Sequence, residues 1–261
     1  MRYLRLWRRF FVAALLREME YRGNAVLLVL VHVAEQAVLL LTYLVFYRFT
    51  DEVAGWTADE ALLLLGIFWI YDGIWGGLIG CNLRLLGEYI QAGRLDQLLT
   101  RPVSTQFLVT WMVVEWWKLA KSATGLIVVV YAGQRVGVTW SPGTVAAAMA
   151  FAAIGMALVY ALRFALAACT FWVVRVTELY SLLNSVQEVA RFPVDYFRRP
   201  VRDVLTFVIP VAFATTFPAQ ALLGRADLRL LPLGVALAAA ALFVSNRFWR
   251  FALRHYVSAG G

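Results

Sequence analysis

Residues 61–81 read ALLLLGIFWIYDGIWGGLIGC and carry a single charged side chain, that of Asp72. A helix needs about 20 predominantly apolar residues to cross the hydrocarbon core of a bilayer, and this run is long enough to do so. Similar runs recur along the 261 residues, of which 62% are hydrophobic and only 15% are charged. A soluble domain carries about a quarter charged residues. The sequence therefore predicts an all-α, polytopic membrane protein.

On either side of this run, the chain divides into six predicted crossings joined by short connections. The second crossing begins at a capping-box pattern formed by Thr57 and Glu60, and the fourth follows a Ser141-Pro142 pair that suits a helix N-terminus. The first four crossings and the last one are placed at residues 25–47, 61–81, 107–131, 145–174 and 230–249. Together the crossings form a single transmembrane domain that covers residues 1–261.

The fifth crossing has two possible positions. In one arrangement residues 176–191 form a cytoplasmic helix and residues 204–222 cross the membrane, which agrees with the arginines that precede the second segment. In the other arrangement residues 176–191 cross within the protein interior, and residues 204–222 enter the membrane and return on the same side. Pro210 and Pro218 suit this second arrangement, because interrupted backbone at membrane depth is tolerated where protein surrounds it. Both arrangements give six crossings.

The distribution of arginine predicts the orientation of the chain. Residues 1–22 contain six arginines, whereas residues 48–60 and 132–144 contain one each. Residues 82–106 contain three arginines, and so does the C-terminal tail. Because short cytoplasmic loops are enriched in Lys and Arg, both termini and residues 82–106 are predicted to be cytoplasmic. The net charge of +8 is then explained by anionic lipid headgroups, and nucleic acid is not an expected partner.

Residues 1–22 are predicted to form an amphipathic helix that lies in the headgroup plane. Leu4, Trp7 and Phe11 share one side of this helix, and Arg2 and Arg5 lie on the opposite side. A helix with one basic and one apolar face is typical of an interfacial element.

Few residues point to chemistry within this chain. The pattern GxxxxGK[ST] of a phosphate-binding loop is absent from the sequence, and so is the GxSxG motif of a serine nucleophile, so the chain is not expected to be an enzyme. His32 and Glu35 are spaced for an intrahelical hydrogen bond, and no metal site is expected. Five further charged residues lie within predicted crossings and either line a substrate path or form structural ion pairs. They are Asp72, Glu115, Lys118, Lys121 and Arg163.

One charged segment, GRLDQLLTRPVSTQF at residues 93–107, separates the second crossing from the third. Gly93 can end the preceding helix in the left-handed conformation, and Pro102 ends the short helix that follows. Leu95, Leu98 and Leu99 then share one face of that short helix. We expect these leucines to be exposed and to form a docking surface, because no other cytoplasmic part of this chain is predicted to cover them.

This segment resembles the coupling helix of type 2 ABC exporter permeases, which fits into a groove of the ATPase subunit. The tail FWRFALRHYVSAGG, the segment RFPVDYFRRPVRDVLTFVIPVAFATTFPAQALLG and the basic amphipathic start are similar to those of a poorly characterised bacterial branch of that family. The resemblance implies that residues 93–102 are the coupling helix, that residues 176–191 cross the membrane and that residues 204–222 are re-entrant. The coupling residues that it implies are Gly93, Leu95, Asp96, Leu98, Leu99, Arg101 and Pro102.

The resemblance also implies the composition of the complex and its location. Two permease chains, identical or paralogous, would assemble with a dimer of ATPase subunits in the cytoplasmic membrane of a bacterium. ATP and magnesium would bind to the ATPase subunits, and this chain would hold no cofactor. A hydrophobic or amphipathic substrate would be exported by alternating access. The polar residues expected along the translocation path are Asp72, Glu178, Asn184, Gln187 and Glu188.

Two other functions remain open at this stage. The chain could be an ion-coupled secondary transporter or channel with Asp72, His32 and Glu35 as an ion relay, although no internal repeat is recognised in the sequence. It could also be a scaffold without transport activity, which differs from a permease in that ATP hydrolysis by a partner would not depend on it.

Overall fold

The computed structural model describes residues 2–20, 22–172 and 176–256, with the side chains of residues 91 and 176–180 left outside the description. The protein is 82% helical. A short antiparallel hairpin, β1 (Glu52–Val53) and β2 (Trp56–Thr57), joins the helix Arg22–Tyr47 to the helix Ala58–Ile74. The helices are α1 (Arg2–Glu20), α2 (Arg22–Tyr47), α3 (Ala58–Ile74), α4 (Cys81–Gln91), α5 (Leu95–Leu99), α6 (Thr105–Trp111), α7 (Trp116–Val136), α8 (Pro142–Ala168), α9 (Val176–Glu188), α10 (Arg199–Asp203), α11 (Val211–Ala214), α12 (Thr216–Leu222) and α13 (Leu230–Arg254).

Among the described residues, 4 helical stretches are long and apolar enough to cross a membrane. They correspond to the predicted first, second, fourth and sixth crossings, so the prediction of a polytopic helical membrane protein is confirmed. The second stretch is longer than predicted, because a π-helical turn at Trp75–Gly80 joins α3 to α4 without a break. The four stretches are Arg22–Tyr47, Ala58–Ile90, Pro142–Phe171 and Leu230–Arg254.

The prediction of a continuous third crossing at residues 107–131 is wrong. The helix is interrupted between α6 and α7, where residues 112–115 are not helical. No glycine or proline marks this break in the sequence, and its cause lies in a neighbouring helix. The side chain of Asn82 on α4 donates to the carbonyl of Val113 and accepts from its N–H, each at 2.7 Å. The side-chain amide of Asn82 thus takes the place of the backbone groups with which Val113 would pair in a continuous helix.

The two-part third element lies along α3 and packs against it at glycines. A Cβ atom added at Gly125 would lie 2.7 Å from the carbonyl oxygen of Gly66, and one added at Gly73 would lie 2.2 Å from Ser122 Oγ and 2.8 Å from its backbone nitrogen. Such close backbone approach is typical of packed membrane helices. Gly73 and Gly125 are therefore positions at which a larger side chain would separate the two helices.

The predicted helix N-termini are confirmed by their capping interactions. Glu60 Oε2 accepts from the Thr57 N–H at 3.0 Å, as a capping box requires. The Ser141 hydroxyl accepts from the Thr144 N–H at 3.2 Å, and proline occupies the first turn of α8. Gly93 has a φ of 65°, the left-handed conformation expected at the end of α4.

The segment from α8 through α9 traverses the whole length of the α3–α4 stretch. At one end, a Cβ atom added at Gly87 would lie 3.6 Å from the methyl group of Thr170, just past α8. Near the middle, Gln187 in α9 donates to Asp72 at 3.1 Å. At the opposite end, Trp56 Nε1 donates to Asp195 at 3.1 Å. Thr170, Gln187 and Asp195 therefore contact the second crossing near one end, near its middle and at its other end.

The segment from α10 to α12 is sharply bent instead of forming one straight helix. The helix axis bends by 72° between its two arms, Arg199–Val208 and Val211–Leu222. In the first turn of the second arm the backbone of Ala214 touches α8, since a Cβ atom added at Gly155 would lie 2.4 Å from the Ala214 nitrogen. Beyond the second arm, Arg225 reaches Glu60 at 2.5 Å, at the start of α3. This segment thus reaches the middle of α8 and then returns to the end of the helical bundle at which α3 begins.

The N-terminal helix predicted from residues 1–22 is present as α1. Its aromatic side packs on the third element, with the ring of Phe11 centred 4.0 Å from that of Trp116 and the ring of Tyr3 4.9 Å from that of Phe107. Leu4 is 72% exposed and remains available to lipid. The position of α1 in the headgroup plane stays a prediction.

Candidate translocation site and coupling segment

A polar cavity of about 260 Å³ lies between α2, α3, α7, α8 and α9, at the level of the π-helical turn. Four of the five residues predicted to line a translocation path, Asp72, Asn184, Gln187 and Glu188, line this cavity. The fifth, Glu178, lies in α9, but its side chain is outside the described residues. The structure thus brings together residues from two segments that are more than one hundred positions apart in the sequence.

Asp72 is held by partners from two different elements. Lys121 Nζ on α7 lies 2.6 Å from one carboxylate oxygen, and Gln187 Nε2 on α9 donates to the other at 3.1 Å. Gln187 is 5% exposed, and its own carbonyl oxygen has no donor among the described residues. Because a charged group at this depth is costly, its pairing with an opposite charge is expected. Asp72 therefore ties α3, α7 and α9 together at one point.

Arg163 connects α8 to the same cavity. Its guanidinium donates to the Asn184 side chain at 2.5 Å and to the Leu183 carbonyl at 2.9 Å, and it lies 5.3 Å from the centre of the Trp75 ring. The residue is 3% exposed. An arginine with several fixed hydrogen bonds holds α9 firmly against α8.

Two cations, Lys118 and Arg84, share the carboxylate of Glu115. Lys118 Nζ lies 2.6 Å from one of its carboxylate oxygens, and Arg84 lies 3.5 Å from the other. Glu115 and Lys118, two of the charged residues within the predicted third crossing, therefore form an ion pair. Glu115 stands at the break before α7, where its N–H donates to the Gly77 carbonyl at 2.9 Å. The break and the π-helical turn thus meet beside the cavity.

His32 also lines the cavity, from α2. Its Nδ1 lies 2.8 Å from Glu35, and its ring stacks on Trp117 at 4.8 Å. The intrahelical hydrogen bond predicted from the spacing is therefore confirmed. The Glu35 side chain is 61% exposed and does not line the cavity. The structure therefore joins only two members of the predicted relay, Asp72 and His32, in one cavity.

The predicted docking face of the segment at residues 93–102 needs correction. Leu95 is completely buried and Leu98 is 5% exposed, because both pack into the core of this same chain. Leu99 is 39% exposed, and only this leucine is available to a partner. Hydrophobic periodicity shows which side of a helix is apolar, but not which surface covers it. The exposed residues of the segment are Arg94, Gln97, Leu99, Thr100, Arg101 and Pro102.

The segment at residues 93–102 also interacts with Tyr256, just after the end of the last helix. Burial raises the pKa of the Tyr256 hydroxyl, and the neighbouring carboxylate of Asp96 raises it further. Asp96 in α5 therefore lies beside the residues that follow α13. No local pattern indicates this contact, because more than 150 residues separate the two positions.

Two residues of the site were not singled out by their sequence pattern. Arg84 was counted only as a loop charge, although it lines the cavity. Asn82 is 2% exposed and determines where the third element breaks. A lone asparagine at the end of an apolar run was the available signal, because a buried amide needs hydrogen-bond partners.

The model of the family described as ABC-2 family transporter protein matches residues 33–260, which is most of the chain. No curated protein and no solved structure matches it. Proteins of this family are membrane transport subunits that normally work with an ATPase subunit. The apolar helices, the polar cavity and the family match agree, and the chain belongs to the ABC-2 transporter family as a multi-pass permease subunit.

Proposed function

We propose that this chain is the permease of an ATP-driven exporter that moves a hydrophobic or amphipathic substrate across the cytoplasmic membrane of a bacterium. The observation that carries the proposal is the cavity around Asp72, where polar side chains from α3, α7, α8 and α9 face one another in the middle of an apolar helical bundle. Such side chains are costly at this depth and are retained mainly where they serve a path. Alternating access would open this cavity to each side in turn.

The proposed topology has six crossings with both termini in the cytoplasm. Residues 176–191 would form the fifth crossing, which is supported by the contacts of Thr170, Gln187 and Asp195 with successive levels of the second one. Residues 204–222 would be re-entrant, which is supported by the 72° bend. The third element, α6 and α7, would be the remaining crossing, since it follows α3 and α4 from end to end. Lys118 and Lys121 of α7 would be neutralised by Glu115 and Asp72 respectively.

The proposed assembly contains two permease chains, identical or paralogous, and a dimer of ATPase subunits that bind ATP and magnesium. Residues 93–102 would transmit the movement of the ATPase. Their contact surface would be the exposed side that carries Arg94, Gln97 and Arg101, with Leu99 and Pro102 beside it. Leu95 and Leu98 would act from within, since they anchor the short helix to its own chain.

Charge reversal at Arg101 tests this assignment. Arg101→Glu should abolish the ATP hydrolysis that depends on this permease, and also co-purification of the ATPase, because it places a negative charge in a contact that would favour arginine. The matched control is Arg199→Glu on α10, since the Arg199 side chain is 85% exposed and lies far from the coupling segment. Unchanged stimulation of the ATPase by Arg101→Glu, with normal membrane levels of the chain, would contradict the coupling role.

A second variant separates anchoring from docking. Leu98→Asp should lower the stability of the permease itself, because it buries an unpaired carboxylate at a site that is 5% exposed. If the Leu98→Asp chain is fully stable but no longer co-purifies with the ATPase, Leu98 instead belongs to the docking surface.

The ion-coupled alternative makes a different prediction. Both carboxylate oxygens of Asp72 already contact Lys121 or Gln187, and Glu35 lies outside the cavity. Substrate movement that persists without ATP and follows an ion gradient would favour that alternative over the exporter.

A further inference from the structure

The second crossing and the third element depart from regular helical geometry at the same level. The second crossing contains the π-helical turn Trp75–Gly80, and the third element is not helical at residues 112–115. The two irregular segments touch each other, because the Glu115 N–H donates to the Gly77 carbonyl at 2.9 Å. A π-helical turn and a break in a helix are both places where the regular hydrogen-bond ladder is interrupted and the axis can change direction.

The hydrogen bonds between these two segments pass through one side chain. Asn82 donates to the Leu78 carbonyl at 2.9 Å and to the Val113 carbonyl at 2.7 Å, and it accepts from the Val113 N–H. Three of the six residues of the π-helical turn are glycines, which restrict the backbone least. Bonds to a side chain can persist while two helix axes change their angle, because the side-chain torsions can rotate with them.

On the side of this level that faces the hairpin, α3 and α7 are held together through their backbones. A Cβ atom added at Gly125 would lie 2.7 Å from the carbonyl oxygen of Gly66. The Ser122 hydroxyl donates to the Ile70 carbonyl at 2.9 Å. Backbones in such close contact leave little space for one helix to tilt against the other.

On the opposite side of this level, α4, α5 and α6 contact one another and form a unit that carries the segment at residues 93–102. Leu86, Leu95 and Leu108, one from each helix, are almost completely buried. At Gly87 this unit meets the chain that follows α8 at an ordinary van der Waals distance, since an added Cβ atom would lie 3.6 Å from the Thr170 methyl group. The unit is packed less tightly at this contact than α3 is against α7.

We propose that the π-helical turn and the break at residues 112–115 form one hinge, about which α4, α5 and α6 tilt as a unit against α3 and α7. This inference rests on the proposed function, because it states how a push on residues 93–102 reaches the cavity. Trp75, Gly76 and Gly80 of the turn line that cavity. The 11 residues of α4 span about 17 Å, so a tilt of about 10° displaces the segment at residues 93–102 by about 3 Å.

Distances between spin labels on the full-length chain measure this tilt. In a chain with both native cysteines replaced by serine, labels at Gln97 and Ile127 span the hinge, whereas labels at Glu52 and Ile127 lie on one side of it; all three positions are exposed. Without any ATPase, the pair across the hinge should have the broader distance distribution. With the co-purified ATPase, exchange of ADP for a non-hydrolysable ATP analogue should shift the mean distance of that pair by about 3 Å and leave the other pair unchanged.

Gly76→Ala tests the hinge itself, and Gly87→Ala is its matched control. Alanine restricts the backbone at both positions, but residue 76 lies in the π-helical turn and residue 87 lies within α4. An added Cβ atom meets a flexible lysine side chain at 3.1 Å at Gly76 and a methyl group at 3.6 Å at Gly87, so both variants should fold. Gly76→Ala should narrow the distance distribution of the pair across the hinge, and Gly87→Ala should leave it as in the wild type.

Equal widths of the two distributions in the wild-type chain would overturn the hinge, and so would equal narrowing by the two glycine variants. If Gly76→Ala fails to fold, the comparison of the two label pairs in the wild type still decides. The measurement without the ATPase is independent of the coupling experiment. Absence of the hinge signal with an intact effect of Arg101→Glu rejects the hinge and keeps the exporter. A clear hinge signal without any effect of Arg101→Glu keeps the hinge and rejects the coupling role of residues 93–102.

Discussion

Removal of the Asn82 side chain should destabilise the protein more than any ordinary polar-to-alanine change on the same helices. Asn82 is 2% exposed and forms two hydrogen bonds of 2.7 Å with the backbone of Val113. Asn82→Ala leaves the Val113 N–H without this partner and leaves the Val113 carbonyl with only the Cys81 thiol, at 3.6 Å. An orphaned buried polar group costs about 1–3 kcal/mol, so the N–H alone accounts for an expected loss of about 1–3 kcal/mol, and the weakened carbonyl contact adds to it.

Denaturation of the full-length chain in mixed micelles provides the measurement, and Asn246→Ala on α13 is the matched control. Asn82→Asp adds a second comparison, because an ionised carboxylate still accepts from the Val113 N–H but cannot donate to its carbonyl. We expect Asn82→Asp to be at least as unstable as Asn82→Ala, because it also buries a carboxylate at a position that is 2% exposed and places an oxygen against the Val113 carbonyl. Protection of the Val113 amide from hydrogen exchange should fall in Asn82→Ala. Stability of Asn82→Ala within about 0.5 kcal/mol of the Asn246→Ala control would refute the reasoning.

Two further predictions concern packing and orientation. Gly73→Ala should destabilise the α3–α7 pair, because its Cβ would lie 2.8 Å from backbone, whereas Gly76→Ala should be milder, because its Cβ would lie 3.1 Å from a flexible lysine side chain; equal unfolding of the two variants would contradict the packing account. In a chain whose two native cysteines are replaced, cysteines at Glu52 and Thr139 should react with an impermeant thiol reagent from outside the cell, and one at Gln97 should not. Labelling at Gln97 alone would reverse the orientation.

Helix type and approximate position could be predicted from the sequence wherever one local signal was sufficient. The apolar run at residues 61–81 and the Thr57–Glu60 spacing both identify a helix that the structure contains. Gly93 is similar, because a left-handed residue after a helix is a local feature. These features depend on interactions within a few residues, which a single sequence contains.

The features that failed depend on contacts between distant segments. Residues 112–115 read as part of an apolar helix, and only the amide of Asn82 explains why the chain leaves the helical path there. Leu98 was expected to face a partner, but its own chain covers it. In both cases the local pattern was compatible with two environments. Which of the two environments is adopted depends on a contact with a residue far away in the sequence.

The candidate site was predicted in part for the same reason. Polar residues inside apolar segments stand out, so Asp72 and Gln187 could be selected from the sequence, and the structure places them 3.1 Å apart. Their pairing could not be predicted, because it depends on how α9 lies beside α3. Arg84 was missed because a charge near the end of a crossing is common and needs no special explanation.

The lysines of α7 have a consequence for how the protein enters the membrane during synthesis. Among the described helices, α7 is not one of those apolar enough to cross on its own composition, and Lys118 and Lys121 together oppose its insertion by roughly 5–7 kcal/mol. Their partners are Asp72, on the helix made before it, and Glu115. The translocation machinery would therefore have to retain α3 beside the nascent α7, and the two segments would pass into the lipid as a pair.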